Sequence, residues 1–171
     1  MKTLSDFIAE SAISTSAQMK ELQKIKKQLT VKLRAQEDAF INNAELSDFI
    51  SKNIRQLART EGYHKNVVSL YLDKAEVDDL GSIPVPSKDK TTTHNAVPNW
   101  VKELEDNKKD KQILLIDFNG TKNDVLNACI PMVLKHEFAG VSIENVVIIG
   151  FGNVDDLPKE LQSRFKPIIN L

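Results

Sequence analysis

Glycine is what this sequence most lacks. Its 171 residues hold six, and none falls between positions 1 and 61. A phosphate-cradling loop uses glycines so that backbone N–H groups can wrap the anion, and then a Lys and a Ser or Thr for the phosphates and Mg²⁺. No Gly-Lys-Ser/Thr triplet occurs anywhere in the chain. Cysteine is reduced to one, Cys129. That excludes an internal disulfide and suits a reducing compartment. Cys129 lies in an apolar helical stretch with no His or base at an interpretable spacing, so it reads as a buried structural thiol. No apolar run approaches the ~20 residues needed to span a bilayer, and no secretory apolar region is present, so no membrane partner is expected. Neither sign of charge dominates: 23 basic residues face 24 acidic ones, a net charge of −1. Attraction to nucleic acid must therefore be local. No pair of His, Cys, Asp or Glu has metal-ligand spacing, and neither a metal nor a cofactor is expected.

What is present is an ordinary folded composition, 41% apolar and 27% charged, at a length that fits one domain with an appended arm. The most informative stretch is the last third. QILLIDFNG (112–120) and NVVIIGFGN (145–153) are continuous apolar runs joined by a helix of crossover length. Such runs read as parallel strands buried on both faces. In parallel sheets, the polar groups just past the strand C-termini line the ligand crevice. Asp117, Asn153, Asp155 and Asp156 all fall there. Asp117, Asp155 and Asp156 could hold Mg²⁺. The alternative is strand-end and capping chemistry, with Asp155 or Asp156 capping a helix at 157–163. No base or nucleophile accompanies the acids, which favours capping.

Taken in order, the chain opens with MKTLSDFIAE (1–10), where Leu4, Phe7 and Ile8 could form one face of a short helix. SAISTSAQ (11–18) is small and polar and reads as a flexible junction. Leu22, Ile25, Leu29 and Leu33 then mark an amphipathic helix over 17–37. Its exposed face is basic, and Lys20, Lys24, Lys27 and Arg34 are candidates for nonspecific DNA contact, although no aromatic residue is interleaved to stack on bases. AFIN (39–42) is a short strand, 45–60 a helix ended by Glu61-Gly62, and 66–72 a β-branched strand. Residues 78–98 hold three of the six prolines and a Thr cluster and are expected as a long loop containing His94. Trp100 opens a charged helix as a packing anchor. The next helix, 123–136, carries Pro131 in its interior, which must remove a hydrogen bond or kink it. His64 and His136 stand near element ends and read as surface residues.

From Val67 onward this series resembles the large αβα domain of the AAA+ ATPases, particularly the MoxR-like branch. VVSLYLDKAEVDDLGSIPV (67–85) is similar to its second strand and following loop, VPNWVKEL (97–104) to its Pro-x-Trp helix, and ILLIDFNG (113–120) to its Walker B strand. NVVIIGFGN is similar to the sensor-1 strand ending in Asn153, and LPKELQSRF (157–165) to the segment carrying the arginine finger, at Arg164. The resemblance implies a three-layer αβα domain over 38–171. Its five-stranded, mostly parallel sheet would have 145–151 lying between 112–118 and 39–42. It also implies a nucleotide site at Asp117, Asn153, Arg164 and Ser51. The departures are substantial. Residues 44–51, Ala-Glu-Leu-Ser-Asp-Phe-Ile-Ser, stand at the phosphate loop, with Ile50 in place of the Lys. Phe118 replaces the Glu that would polarise water, and the resemblance ends at Leu171 without the helical lid. Losing phosphate cradle, base and lid together implies a chain that is no ATPase.

The first ten residues resemble the capsid-targeting leader of internal head proteins of T-even bacteriophages. Met1, Lys2, Thr3, Phe7, Ile8, Ala9 and Glu10 match, and Leu4, Ser5 and Asp6 depart. That family is cut after the Glu of an apolar-x-Glu triplet, here between Glu10 and Ser11. The resemblance implies a protein packaged in the virion head and delivered to the host cytoplasm to bind a host factor, for example a defence enzyme. A structural head role against packaged DNA, a residual nucleotide-binding subunit of an AAA+ assembly, or a decoy presenting Arg164 to an AAA+ partner are the alternatives.

Overall fold

The computed structural model describes residues 4–64, 67–81, 83–88 and 93–170. In chain order the elements are α1 (Leu4–Ala35), β1 (Ala39–Asn42), α2 (Asp48–Thr60), β2 (Val68–Tyr71), α3 (Val77–Leu80), β3 (Ile83–Pro86), β4 (Thr93–Ala96) and α4 (Asn99–Asp106). There follow β5 (Gln112–Asp117), α5 (Asn123–Lys135), β6 (Glu137–Phe138), β7 (Val141–Ser142), β8 (Val146–Gly152), a 3-10 turn (Val154–Asp156), α6 (Lys159–Arg164) and β9 (Ile169–Asn170). Of the leader-like decapeptide, residues 1–3 and the side chains of the remainder lie outside the described residues.

The two apolar runs do form the centre of a parallel sheet. Its order is β2-β5-β8-β1-β9, and every neighbouring pair is parallel. β8 lies between β5 and β1, as expected. Side chains alternate between faces even in these unbroken apolar strands. In β8, Val146 and Ile148 join one core while Val147, Ile149 and Phe151 join the other. α1 and α2 cover the second core with Ile25, Leu29, Leu33 and Ile54. α4, α5 and α6 cover the first with Val101, Leu104, Cys129, Val133 and Leu161. The result is three layers, αβα. Burial pushes the Cys129 thiol up to about 12, consistent with a structural role. Trp100 anchors α4 by packing edge-on against Phe138, ring centroids 5.8 Å apart.

Three expectations change. The polar stretch 11–18 is not a junction but part of α1, which runs unbroken over 32 residues. It holds no Gly or Pro, and Ala and Gln favour helix. The expected loop at 78–98 contains α3 and an antiparallel hairpin of β3 with β4, in which His94 pairs with Val85. Pro84 and Pro86 sit in a two-stranded ribbon, where a missing N–H can face away from the ladder. α2 starts at Asp48 rather than 45, because Ser47 caps it by accepting from the Ile50 N–H. Its other end closes with Gly62 at φ 79, the Tyr63 N–H on the Ala58 carbonyl and the Gly62 N–H on the Arg59 carbonyl. That is a Schellman motif, and it confirms the stop read at Glu61-Gly62.

Candidate functional site

Parallel strands bring Asp117, at the end of β5, and Asn153, just past β8, to the same edge of the sheet. The β1–α2 connection, Asn43 to Ser47, meets them there. Asp117 is heavily engaged. One oxygen accepts from the Leu46 N–H at 3.0 Å. The other accepts from the Asn119 N–H at 3.0 Å and the Asn119 side-chain amide at 2.6 Å. That amide also donates to the Ala44 carbonyl at 3.1 Å. The carboxylate is thus the acceptor for a loop N–H.

The connection itself is pulled inward. Ala44 and Leu46 are buried, and the Asn43 N–H donates to the Gly152 carbonyl at 2.7 Å. Asn43 adopts φ 58 without being glycine, a conformation Asn tolerates. Ser51 is buried, its hydroxyl accepting from Arg55 Nε at 3.3 Å. Ile50, which the resemblance sets where a phosphate-binding Lys would stand, offers no charge. Phe118, which the resemblance sets where a water-polarising Glu would stand, lies in the first core. Its ring lies 6.1 Å from that of Phe40 and 6.3 Å from that of Phe165. Gly150 makes room for this aromatic cluster, since a Cβ there would sit 2.6 Å from Phe40 Cδ2.

Asn153 is exposed, and its side chain accepts from the Asp155 N–H at 3.1 Å. Asp155 and Asp156 belong to the 3-10 turn, and Pro158 is the N-cap residue of α6, so neither acid caps that helix. Among the described residues no group of three or more His, Cys, Asp or Glu side chains is placed to hold a metal ion.

Arg164 is not brought to this edge. Its Nε donates to Asp38 Oδ2 at 2.9 Å, and Asp38 precedes β1, four residues from Asn42. At ~3.3 Å per residue that is roughly 13 Å down the sheet. Asp38 also accepts from the buried Ile148 N–H at 2.8 Å, and His136 Nε2 lies 2.9 Å from its Oδ2. His136 is therefore no surface residue; its side chain is 15% exposed. This buried carboxylate is the residue that sequence reasoning missed. Of the basic candidates on α1, Lys20, Lys24 and Lys27 are exposed. Arg34 is held by Glu61 through two hydrogen bonds, which raise the guanidinium pKa and lower that of the carboxyl.

Glu45, Tyr71, Leu72, Asp73, Asp117 and Asn119 line a cleft of about 200 Å³ at this edge. Three of the six are carboxylates. Beside it, sharing Tyr71, lies a larger and mainly apolar pocket of about 460 Å³.

No family model matches the sequence, and no curated protein matches it. Solved structures do. A protein from Cytophaga hutchinsonii designated a candidate ATPase superposes with a TM-score of 0.55 at 12% identity, over 95% of this chain and 55% of that one. A point mutant of Thermotoga maritima RuvB superposes with 0.55 at 15% identity, over 88% and 46%. A second point mutant of the same protein gives 0.53 at 15%, over 87% and 45%. The chain spans about half the length of these structures. At such identities the likeness is one of fold, that of the large AAA+ domain.

Proposed function

We propose that this chain is a non-catalytic AAA+-like protein that acts by binding a partner rather than by hydrolysing nucleotide. The observation that carries the reading is the bond from the Leu46 N–H to Asp117. In a nucleotide site, the loop N–H groups serve the phosphates and the acid serves Mg²⁺. Here the two satisfy each other. The flanking chemistry agrees: Glu45 and Asp73 line the cleft with Asp117, and like charges repel a triphosphate. The cleft is also smaller than the ~300–1,000 Å³ of most small-molecule sites. Titration of Mg-ATP into the protein by calorimetry is expected to give no saturable heat at micromolar concentration, and no phosphate should be released. Micromolar affinity that disappears in Asp117→Ala would overturn the reading.

The leader-like decapeptide extends the proposal to destination: a phage protein packaged in the head and delivered with the DNA to engage a host factor. Mass spectrometry of purified virions tests this. The expected result is a protein beginning at Ser11; its absence from virions removes the destination while leaving the binding role standing.

A further inference from the structure

The open edge of the sheet next to the acidic cleft has the features of a docking surface. β2 is an outer strand. The Leu72 N–H donates to the Asp117 carbonyl, so by the alternation of a parallel ladder Val68 and Leu70 also face β5. The N–H and C=O groups of Ser69 and Tyr71 then point away from the sheet. Among the described residues, no backbone group of another element bonds to them. An unpaired edge is a template for an added strand. Its flanks set the chemistry. On one side lies the 460 Å³ pocket, walled by Leu70, Ala75, Val97, Pro98 and Trp100. On the other lies the cleft with Glu45, Asp73 and Asp117. Tyr71, 47% exposed, belongs to both. Among the described residues, exposed Asp78 and Asp79 border the pocket against a single base, Lys74.

We propose that β2 accepts an extended segment of a partner protein. The segment carries a large apolar side chain, for the pocket, followed by basic residues, for the acidic cleft. This deepens the binding-protein reading, on which it rests only in taking the chain to work by association.

The test uses the full 171-residue chain and two blocked, fluorescein-labelled peptides, Thr-Val-Thr-Phe-Arg-Arg and its Glu-Glu counterpart. Anisotropy is expected to show saturable binding of the basic peptide, about tenfold or more tighter than the acidic one, and weakened by added salt. Binding should slow amide exchange at Ser69 and Tyr71, with little change at Val68 and Leu70. A variant with Glu45→Lys and Asp73→Lys should bind about tenfold more weakly, its thermal midpoint recorded in parallel. Equal binding of both peptides, or exchange at Ser69 and Tyr71 unaltered by saturating peptide, overturns the proposal. So does protection of those amides by concentration-dependent self-association without peptide, which makes the occupant a second copy. The ATP titration is independent, so a silent peptide with silent ATP removes this surface and leaves the non-catalytic reading intact.

Discussion

Asp38 shows how much one side chain can hold. It is buried, and it gathers Arg164 Nε, His136 Nε2 and the Ile148 N–H. Asp38→Ala leaves the Ile148 N–H without its acceptor inside the sheet, a loss of about 1–3 kcal/mol for the orphaned donor. The midpoint of urea unfolding should fall accordingly; a midpoint within error of the parent would show that water replaces the carboxylate. Tyr63 makes a second such bond, its hydroxyl donating to the Leu33 carbonyl at 2.6 Å. Tyr63→Phe is expected to cost about 1 kcal/mol. Burial also raises the Tyr63 pKa from 10.0 to about 12, and that of Cys129 from 9.0 to about 12. Both groups are neutral when protonated, and folding favours that form. Their contribution is complete below the unfolded values and is lost as pH rises through the folded ones. Stability should therefore decline from about pH 9 upward, and Tyr63→Phe should flatten the part above pH 10. Equal slopes for the two proteins in alkaline denaturation would remove Tyr63 from that account.

At the scale of elements, α1 combines two regimes. Among the described residues the buried stripe runs from Leu22 to Leu33, against α2 and the sheet. Ser16, Ala17, Met19 and Lys20, before it, are exposed. The helix ends with Gln36 at φ 54 and the Glu37 N–H on the Lys32 carbonyl, a Schellman closure made without glycine. If residues 1–10 are a removable leader, deleting them is expected to leave the thermal midpoint within about 2 °C of the full chain. Each large apolar side chain that docked on the core would instead contribute roughly 1.5–3 kcal/mol, several degrees at this size. A fall of that order would make the decapeptide part of the fold. The insertion between β2 and α4 shows the opposite limit of sequence reading. Its prolines and threonines signal a loop, yet a capping box between Glu76 and Asp79 starts α3, and the hairpin pairs through four register positions.

For the molecule as a whole, the sheet was legible and its fastenings were not. Continuous apolar runs announce β5 and β8 as buried parallel strands, and the resemblance to the AAA+ domain supplied the order β5-β8-β1. The edge where a site belongs was legible for the same reason, through Asp117 and Asn153. What sequence cannot convey is the direction of a side chain whose partners are remote. Asp38 meets residues 98, 110 and 126 positions away, and no spacing rule reaches that far. Arg164 looked free to face a neighbouring subunit for that reason, while its guanidinium is bonded to Asp38. Phe118 was legible as a replacement, but that it completes an aromatic cluster with Phe40 and Phe165 depends on Gly150 leaving the space.

The position of β1 has a consequence for synthesis. It lies between β8 and β9, both of which follow it by more than a hundred residues. On the ribosome, Ala39, Phe40 and Ile41 must therefore wait for about a hundred further residues before either neighbour exists. At ~5–20 residues per second that is roughly 5–20 s, during which an apolar strand has both edges open. α1 and α2, already synthesised on either side of it, give the earliest cover. A nascent chain arrested before β8 should accordingly be cleaved by protease around 39–41 and bind chaperone, and one extended past β9 should resist both.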